Sequence, residues 1–176
     1  MSRVRAATPA DCDALAALRL AYVEERFPSH RKYGADTILA DAFGPGAAYS
    51  LLVAERAEQL VGFLAWGPTY DLNHGMRGGT VCGLFVVPSM RGHGIVLELV
   101  AAAAAAVAAA GGVFLHGGAY ERSGPVGRVY ERIAIGFDSA ECFIGGRAFR
   151  SIVALAGGSA RDILRGLPDR SQNHEP

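Results

Sequence analysis

Cysteine, lysine and net charge are all scarce in this sequence. The 176-residue chain has three cysteines, a single lysine at Lys32, and 17 acidic residues that balance 17 basic ones. Cys12, Cys82 and Cys142 are far apart and form no C-x-x-C pair, so we expect neither a disulfide framework nor a zinc site. The balanced charge provides no general attraction to nucleic acid or to an anionic membrane. We therefore expect a cytoplasmic protein without nucleic-acid or membrane partners.

Long apolar runs and several nucleotide or metal motifs are also missing. The longest apolar run, residues 99–110, is mostly alanine and is shorter than the roughly 20 residues of a membrane span. The N-terminus has no apolar signal-peptide core. There is no G-K-[ST] phosphate loop, Leu97 replaces the third glycine of a G-x-G-x-x-G motif, and no H-x-x-x-H spacing indicates a metal. We expect no metal site.

What the chain does have is enough apolar residues, 51%, for one sizeable core. Apolar spacing and turn residues predict an α/β domain over residues 1–156, in the order β-α-α-β-β-β-α-β-α-β-β. Residues 157–176 are predicted to be an extension with a short helix and a flexible tail. The predicted segments after the first two helices are strands at 49–55, 60–66 and 80–87 with a polar loop at 67–78, a helix at 95–110, a strand at 113–116, a helix at 124–132, and a closing hairpin of 138–143 with 147–154.

A glycine turn, Arg91-Gly92-His93-Gly94-Ile95, joins the third long strand to the alanine-rich helix. Backbone N–H groups at such a helix start can bind an anion, and glycine lets a phosphate approach closely. Glycines in a plain tight turn would look the same.

The longer stretch LFVVPSMRGHGIVL, residues 84–97, resembles the acetyl-CoA motif of the GNAT (GCN5-related) N-acetyltransferase superfamily: a strand, a proline, then R-x-x-G-x-G/A at a helix start. Val96 departs from the usual Gly or Ala. The resemblance implies a mixed central sheet with splayed parallel strands four and five, flanking helices, and acetyl-CoA as donor. It also implies the following contacts with acetyl-CoA: Leu84, Phe85 and Val86 from the strand, Arg91, Gly92, His93, Gly94, Ile95, Val96 and Leu97 from the turn, and Ser123 beside the pantetheine arm.

Acetyl transfer to an amine requires two proton movements. An alkylamine with a pKa of about 10.4 must lose a proton before it attacks, and the departing thiolate gains one. The segment around Tyr130-Glu131-Arg132 and Gly136-Phe137 is similar to the family's Y-E-R-x-G-F segment. That similarity implies Tyr130 as the general acid near the sulfur of CoA.

The sequence offers several candidates for the base that deprotonates the amine. The region from Trp66 to Val86 is similar to the branch of diamine and thialysine acetyltransferases, which carries an acidic pair where this chain has Cys82-Gly83. A polycationic acceptor is therefore not favoured. Glu25 on the first helix and His116 on the neighbouring strand are the leading replacement bases, ahead of Glu24, Asp71 and His74.

The sequence thus predicts an N-acetyltransferase that acetylates a small primary amine by direct attack in a ternary complex. The alternatives are a catalytically idle acyl-CoA-binding or regulatory module, a protein N-terminal acetyltransferase, and a thiol hydrolase using Cys82 with His116. A homodimer is compatible with the sequence.

Overall fold

A single mixed sheet forms the centre of the fold. The structure, a computed structural model, describes residues 2–26, 33–118, 135–136, 141–144 and 146–167. Within these residues seven strands are hydrogen-bonded in the order β1-β2-β3-β4-β5-β7-β6. The elements are β1 (Arg3–Ala6), α1 (Cys12–Arg26), α2 (Ala35–Phe43), β2 (Ser50–Arg56), β3 (Gln59–Asp71), β4 (Met76–Val86), α3 (Ile95–Ala109), β5 (Leu115–Gly118), β6 (Ile135–Gly136), β7 (Glu141–Ile144), α4 (Gly146–Ala154) and α5 (Ala160–Gly166).

Strands β3 and β4 form a longer hairpin than the sequence predicts. The expected polar loop at 67–78 is mostly strand, and only the residues between Asp71 and Met76 turn. The carboxylate of Asp71 accepts hydrogen bonds from the N–H groups of Asn73 and His74, at 2.9 and 3.1 Å. A glycine in a strand weakens the strand pattern, and Gly78 therefore favoured a loop. In the structure Phe114 packs so closely on Gly78 that a Cβ there would lie 2.6 Å from its ring. The local sequence carries no signal of this packing, which explains why a loop was predicted where the chain forms a strand.

Helix α3 is the buried helix predicted from the alanine-rich run. Its Leu97, Leu99, Val100 and Val107 are at most 2% exposed, and its alanines let the helix lie close to the sheet. No helix in the described ranges is long and apolar enough to cross a membrane.

The predicted closing hairpin is wrong in its second half. Residues 146–154 form helix α4, whose Ala148, Phe149 and Ile152 are buried. These apolar residues recur at helical spacing, whereas Gly145-Gly146 and the β-branched pair Ile152-Val153 favoured a turn and a strand. Strand β7 instead pairs antiparallel with both β5 and β6.

Helix α5 is the short helix predicted in the C-terminal extension. At its start the hydroxyl of Ser159 accepts a hydrogen bond from the N–H of Asp162. Ile163 is fully buried and Leu167 is 8% exposed, both in the core cluster that contains α3. The boundary at residue 156 stays a prediction, and residues 168–176 lie outside the described ranges.

Candidate active site

The parallel strands β4 and β5 separate shortly after they pair. Their register consists of two residue pairs, Gly79 with Leu115 and Thr80 with His116. Strand β4 continues to Val86 along β3, so its other edge has no strand partner from residue 81 onward within the described residues. Unpaired backbone N–H and C=O groups can hydrogen-bond an extended ligand as a further strand would. The predicted splay of strands four and five is confirmed.

A β-bulge lies where this open edge begins. Ala65 pairs with Gly83 and Trp66 pairs with Val81, so Cys82 is the extra residue in β4. A bulge bends the strand and leaves a backbone group unpaired. Just beyond it, Tyr22 of α1 packs against the rings of Phe63 and Phe85, with centroids 6.1 and 5.9 Å away. Helix α1 is thereby held over this part of β4.

The glycine turn follows the open edge and leads into α3. Both Gly92 and Gly94 have positive φ, 79° and 82°, which disfavours other residue types. Gly94 is the N-cap of α3 and supplies no side-chain cap. The first bond inside the helix runs from the N–H of Glu98 to the carbonyl of Gly94, at 3.1 Å. The earlier N–H groups of α3 therefore have no acceptor within the helix and can bind an anion; they belong to Ile95, Val96 and Leu97.

The two glycines of the turn have different surroundings. A Cβ on Gly94 would overlap the methyl group of Ala160 in α5, whereas a Cβ on Gly92 would meet nothing within 4 Å. Gly94 is thus required by protein packing as well as by its backbone conformation. Gly92 leaves open space where a phosphate can approach.

Arg91 joins this turn to two other elements. Its Nε donates to the carbonyl of Val86 at 3.0 Å, and its Nη2 lies 2.6 Å from Oε2 of Glu25. Its guanidinium also lies 5.7 Å from the centre of the Phe85 ring. Arg91 therefore connects the turn to the end of β4 and to the last residues of α1. The sequence offered no signal for this contact, because Glu25 and Arg91 are 66 positions apart.

His93 is an exposed residue whose imidazole turns back to the backbone of the same turn. Its Nδ1 lies 3.0 Å from the carbonyl oxygen of Arg91. Because a carbonyl can only accept, Nδ1 carries the proton. The imidazole thus helps to hold the turn in place.

The other candidates occupy different places. His116 is half-buried at the last paired position before β4 and β5 separate. Partial desolvation raises the pKa of the Cys82 thiol, and its Sγ lies 3.5 Å from the carbonyl of Thr80, so the reactive thiolate is disfavoured. Tyr130 and Ser123 lie outside the described residues. Glu24 is exposed on α1, and Asp71 and His74 pair with each other at 2.7 Å at the turn of the β3–β4 hairpin.

The described residues contain no group of three or more His, Cys, Asp or Glu side chains that could hold a metal ion. The site is built from an open strand edge and a glycine turn. This arrangement fits a long ligand with an extended arm and phosphates at one end.

Comparisons with known proteins agree with this arrangement. The family described as acetyltransferase (GNAT) matches residues 15–137. One similar solved structure is the ribosomal-protein-alanine N-acetyltransferase from Brucella melitensis biovar Abortus 2308, which is 24% identical with a TM-score of 0.62; the match covers 78% of this chain and 93% of that one. No curated protein sequence matches the chain.

Two further similar structures were solved with acetyl-CoA. A GNAT family acetyltransferase from Brucella melitensis is 20% identical with a TM-score of 0.59, and the match covers 82% of this chain and 88% of that one. The protein yncA from Salmonella typhimurium is 15% identical with a TM-score of 0.63, over 82% of this chain and 93% of that one. At such identities these structures support the shared fold, and the diamine and thialysine branch stays a prediction. The family match covers well over half of the sequence, so the chain belongs to the acetyltransferase (GNAT) family, and the predicted class of enzyme, an acetyl-CoA-dependent N-acetyltransferase, is confirmed.

Proposed function

We propose that the protein transfers the acetyl group of acetyl-CoA to a primary amine of a small molecule, by direct attack in a ternary complex. The observation that carries this proposal is the edge of β4 beyond the Cys82 bulge, which has no strand partner among the described residues and is joined to the glycine turn by one 3-10 turn, Pro88–Met90. The edge suits the amide-containing pantetheine arm. The turn suits the pyrophosphate, because its N–H groups lack acceptors within α3. Leu84, Phe85 and Val86 are the proposed strand contacts.

The chemistry needs four events at this site. The neutral amine forms a C–N bond to the acetyl carbon, and negative charge develops on the acetyl oxygen. Backbone N–H groups of β4 near Phe85 stabilise that charge. The C–S bond then breaks, the nitrogen passes its extra proton to the general base, for which His116 is proposed below, and the thiolate takes a proton from Tyr130, which regains one from solvent.

The acceptor is a small amine without several positive charges. The diamine and thialysine acetyltransferases carry an acidic pair where this chain has Cys82 and Gly83. These two residues supply no negative charge to attract a polycation. Acetylation of a protein N-terminus is the second candidate, favoured by the similarity to the structure of a ribosomal-protein-alanine N-acetyltransferase.

The decisive experiment measures release of free CoA thiol from acetyl-CoA with a panel of acceptors. The panel should contain monoamines, diamines, polyamines and a short peptide with an N-terminal alanine. We expect the highest kcat/KM with a monoamine and a poor rate with polyamines. Preference for the peptide would support the second candidate. Bound acetyl-CoA without transfer to any acceptor would support the idle-module alternative instead.

A separate prediction assigns different roles to the two leading base candidates. The short ion pair with Arg91 suits Glu25 as a positioning residue, whereas His116 lies where the strands separate and is the proposed base. We expect Glu25→Gln to raise KM for acetyl-CoA several-fold and to keep the shape of the pH–rate profile. With His116 as the base, we expect the wild-type rate to stop rising above neutral pH. The rate of His116→Ala should have no such plateau and should keep rising towards the pKa of the amine.

Glu24→Gln and His74→Ala are the matched controls, because they make the same changes at other exposed residues: Glu24 next to Glu25 on α1, and His74 at the turn of the β3–β4 hairpin. Steady-state kinetics from pH 6 to pH 10 provide the measurement. A changed pH profile in Glu25→Gln with unchanged KM would make Glu25 the base. An unchanged profile in both variants would exclude both residues.

A further inference from the structure

The C-terminal helix α5 packs directly on the glycine turn. The contact is between Ala160, the first residue of α5, and Gly94, where any Cβ would overlap the Ala160 methyl group. Farther along the same helix, Ile163 is fully buried in the core cluster that contains α3. The position of α5 beside the turn is therefore set by close packing at two points.

This end of the chain is also its most basic part in the described structure. Residues 146–167 contain four arginines and one aspartate, a formal charge of +3, although the whole chain has a formal charge of +0. The carboxylate of Asp162 accepts a hydrogen bond from the Ser159 hydroxyl at 2.7 Å. The segment that carries this charge meets the turn proposed to hold phosphates through the contact of Ala160 with Gly94.

Among the four arginines, Arg161 is the one adjacent in sequence to Ala160, the residue that contacts Gly94 of the turn. It directly follows Ala160, and its side chain is exposed. Arg165 is exposed on the same helix but lies one turn farther on, about 6 Å along the axis. A guanidinium presents a planar fork of donors that matches phosphate oxygens, so an arginine at the first position is suited to a phosphate ligand.

We propose that α5 completes the acetyl-CoA site and that Arg161 binds a phosphate group of the donor, either the 3′-phosphate or the pyrophosphate. This inference rests on the proposed function, since it takes the turn as the phosphate site. It adds a ligand from the C-terminal extension, outside the segment that resembles the family's acetyl-CoA motif. Residues 157–167 are then part of the substrate site as well as of the core.

The test compares Arg161→Ala with Arg165→Ala by calorimetric titration of acetyl-CoA. Both substitutions remove one exposed positive charge from the same helix, Arg161 in its first turn and Arg165 in its last turn, farther from the contact with Gly94. We expect Arg161→Ala to raise Kd about tenfold and Arg165→Ala to raise it less than twofold. Arg161→Lys, which keeps the charge and loses the fork, should lie between wild type and Arg161→Ala.

A second titration with acetyl-dephospho-CoA identifies the phosphate. If Arg161 binds the 3′-phosphate, wild type and Arg161→Ala should have equal Kd for this donor; if it binds the pyrophosphate, the tenfold difference should persist. Unfolding temperatures without ligand should match between the two alanine variants, since both side chains are exposed.

Equal Kd for acetyl-CoA in wild type and Arg161→Ala would overturn the inference, and so would equal losses in the two alanine variants. Neither result contradicts the proposed function, because the wild-type protein would still bind acetyl-CoA. Failure of wild type to bind acetyl-CoA would instead contradict the proposed function itself.

Discussion

Replacing Gly92 by glutamate is expected to abolish the stabilisation of the protein by acetyl-CoA. A ligand at 100 times its dissociation constant stabilises the folded state by about 2.7 kcal/mol. For a chain of this size that corresponds to a rise of about 5–10 °C in unfolding temperature. A Cβ at Gly92 meets nothing within 4 Å, so the carboxylate can occupy the space in front of the turn and repel the phosphates. Thermal unfolding with and without acetyl-CoA provides the measurement.

Gly111→Glu is the matched control for this variant. Gly111 also has a positive φ, 81°, and a Cβ there would likewise meet nothing within 4 Å, but it follows the other end of α3. Both substitutions place a non-glycine residue in the left-handed region, at a cost of about 1–2 kcal/mol. Both variants should therefore be destabilised alike without ligand. Only Gly92→Glu should lose the shift with acetyl-CoA, and a retained shift would show that the phosphates bind elsewhere.

Gly94→Glu would be a poorer probe of the same turn. Its side chain would have to displace Ala160 and with it α5, so lost binding could follow from disturbed packing alone. Gly92 and Gly94 differ in the residues that pack around them, and the sequence motif does not reveal this difference.

Tyr130→Phe is expected to lower turnover by about 10² to 10⁴, the usual contribution of a positioned proton transfer. The substitution removes only the hydroxyl that would protonate the departing thiolate. Since the aromatic ring is kept, the affinity for acetyl-CoA should change little. The measurement is kcat with the best amine of the panel, together with the thermal shift by acetyl-CoA.

Turnover and the thermal shift by acetyl-CoA together distinguish a catalytic role of Tyr130 from a binding role. A lost thermal shift with proportionate loss of activity would indicate a binding role. Full turnover in Tyr130→Phe would show that the thiolate leaves unprotonated or receives its proton from another group. Ser123→Ala is the companion variant, for which the proposed contact with the pantetheine arm predicts a modest rise in KM for acetyl-CoA.

The sequence by itself determined the sheet strands that carry the site, the glycine turn and the buried α3. These features depend on local signals: β-rich runs, two glycines between a strand and a helix, and a long run of alanine and leucine. A local signal is enough because each element's own residues decide its conformation. The motif at residues 84–97 then indicated the family, which the match over residues 15–137 confirmed.

Only the tertiary structure decided how those elements meet. The length of the β3–β4 hairpin depends on Phe114 and Val107 packing on Gly78 and Gly79. In helix α4 the helical spacing of the apolar residues competed with the local turn and strand signals, and their burial in the core cluster that contains α3 decided for the helix.

The ion pair of Glu25 with Arg91 and the contact of Ala160 with Gly94 join residues 66 positions apart in each case. Such contacts have no local signature, since they arise when separate elements pack against one core. They change the proposed role of Glu25 from base to positioning residue, and they bring the C-terminal extension to the phosphate turn.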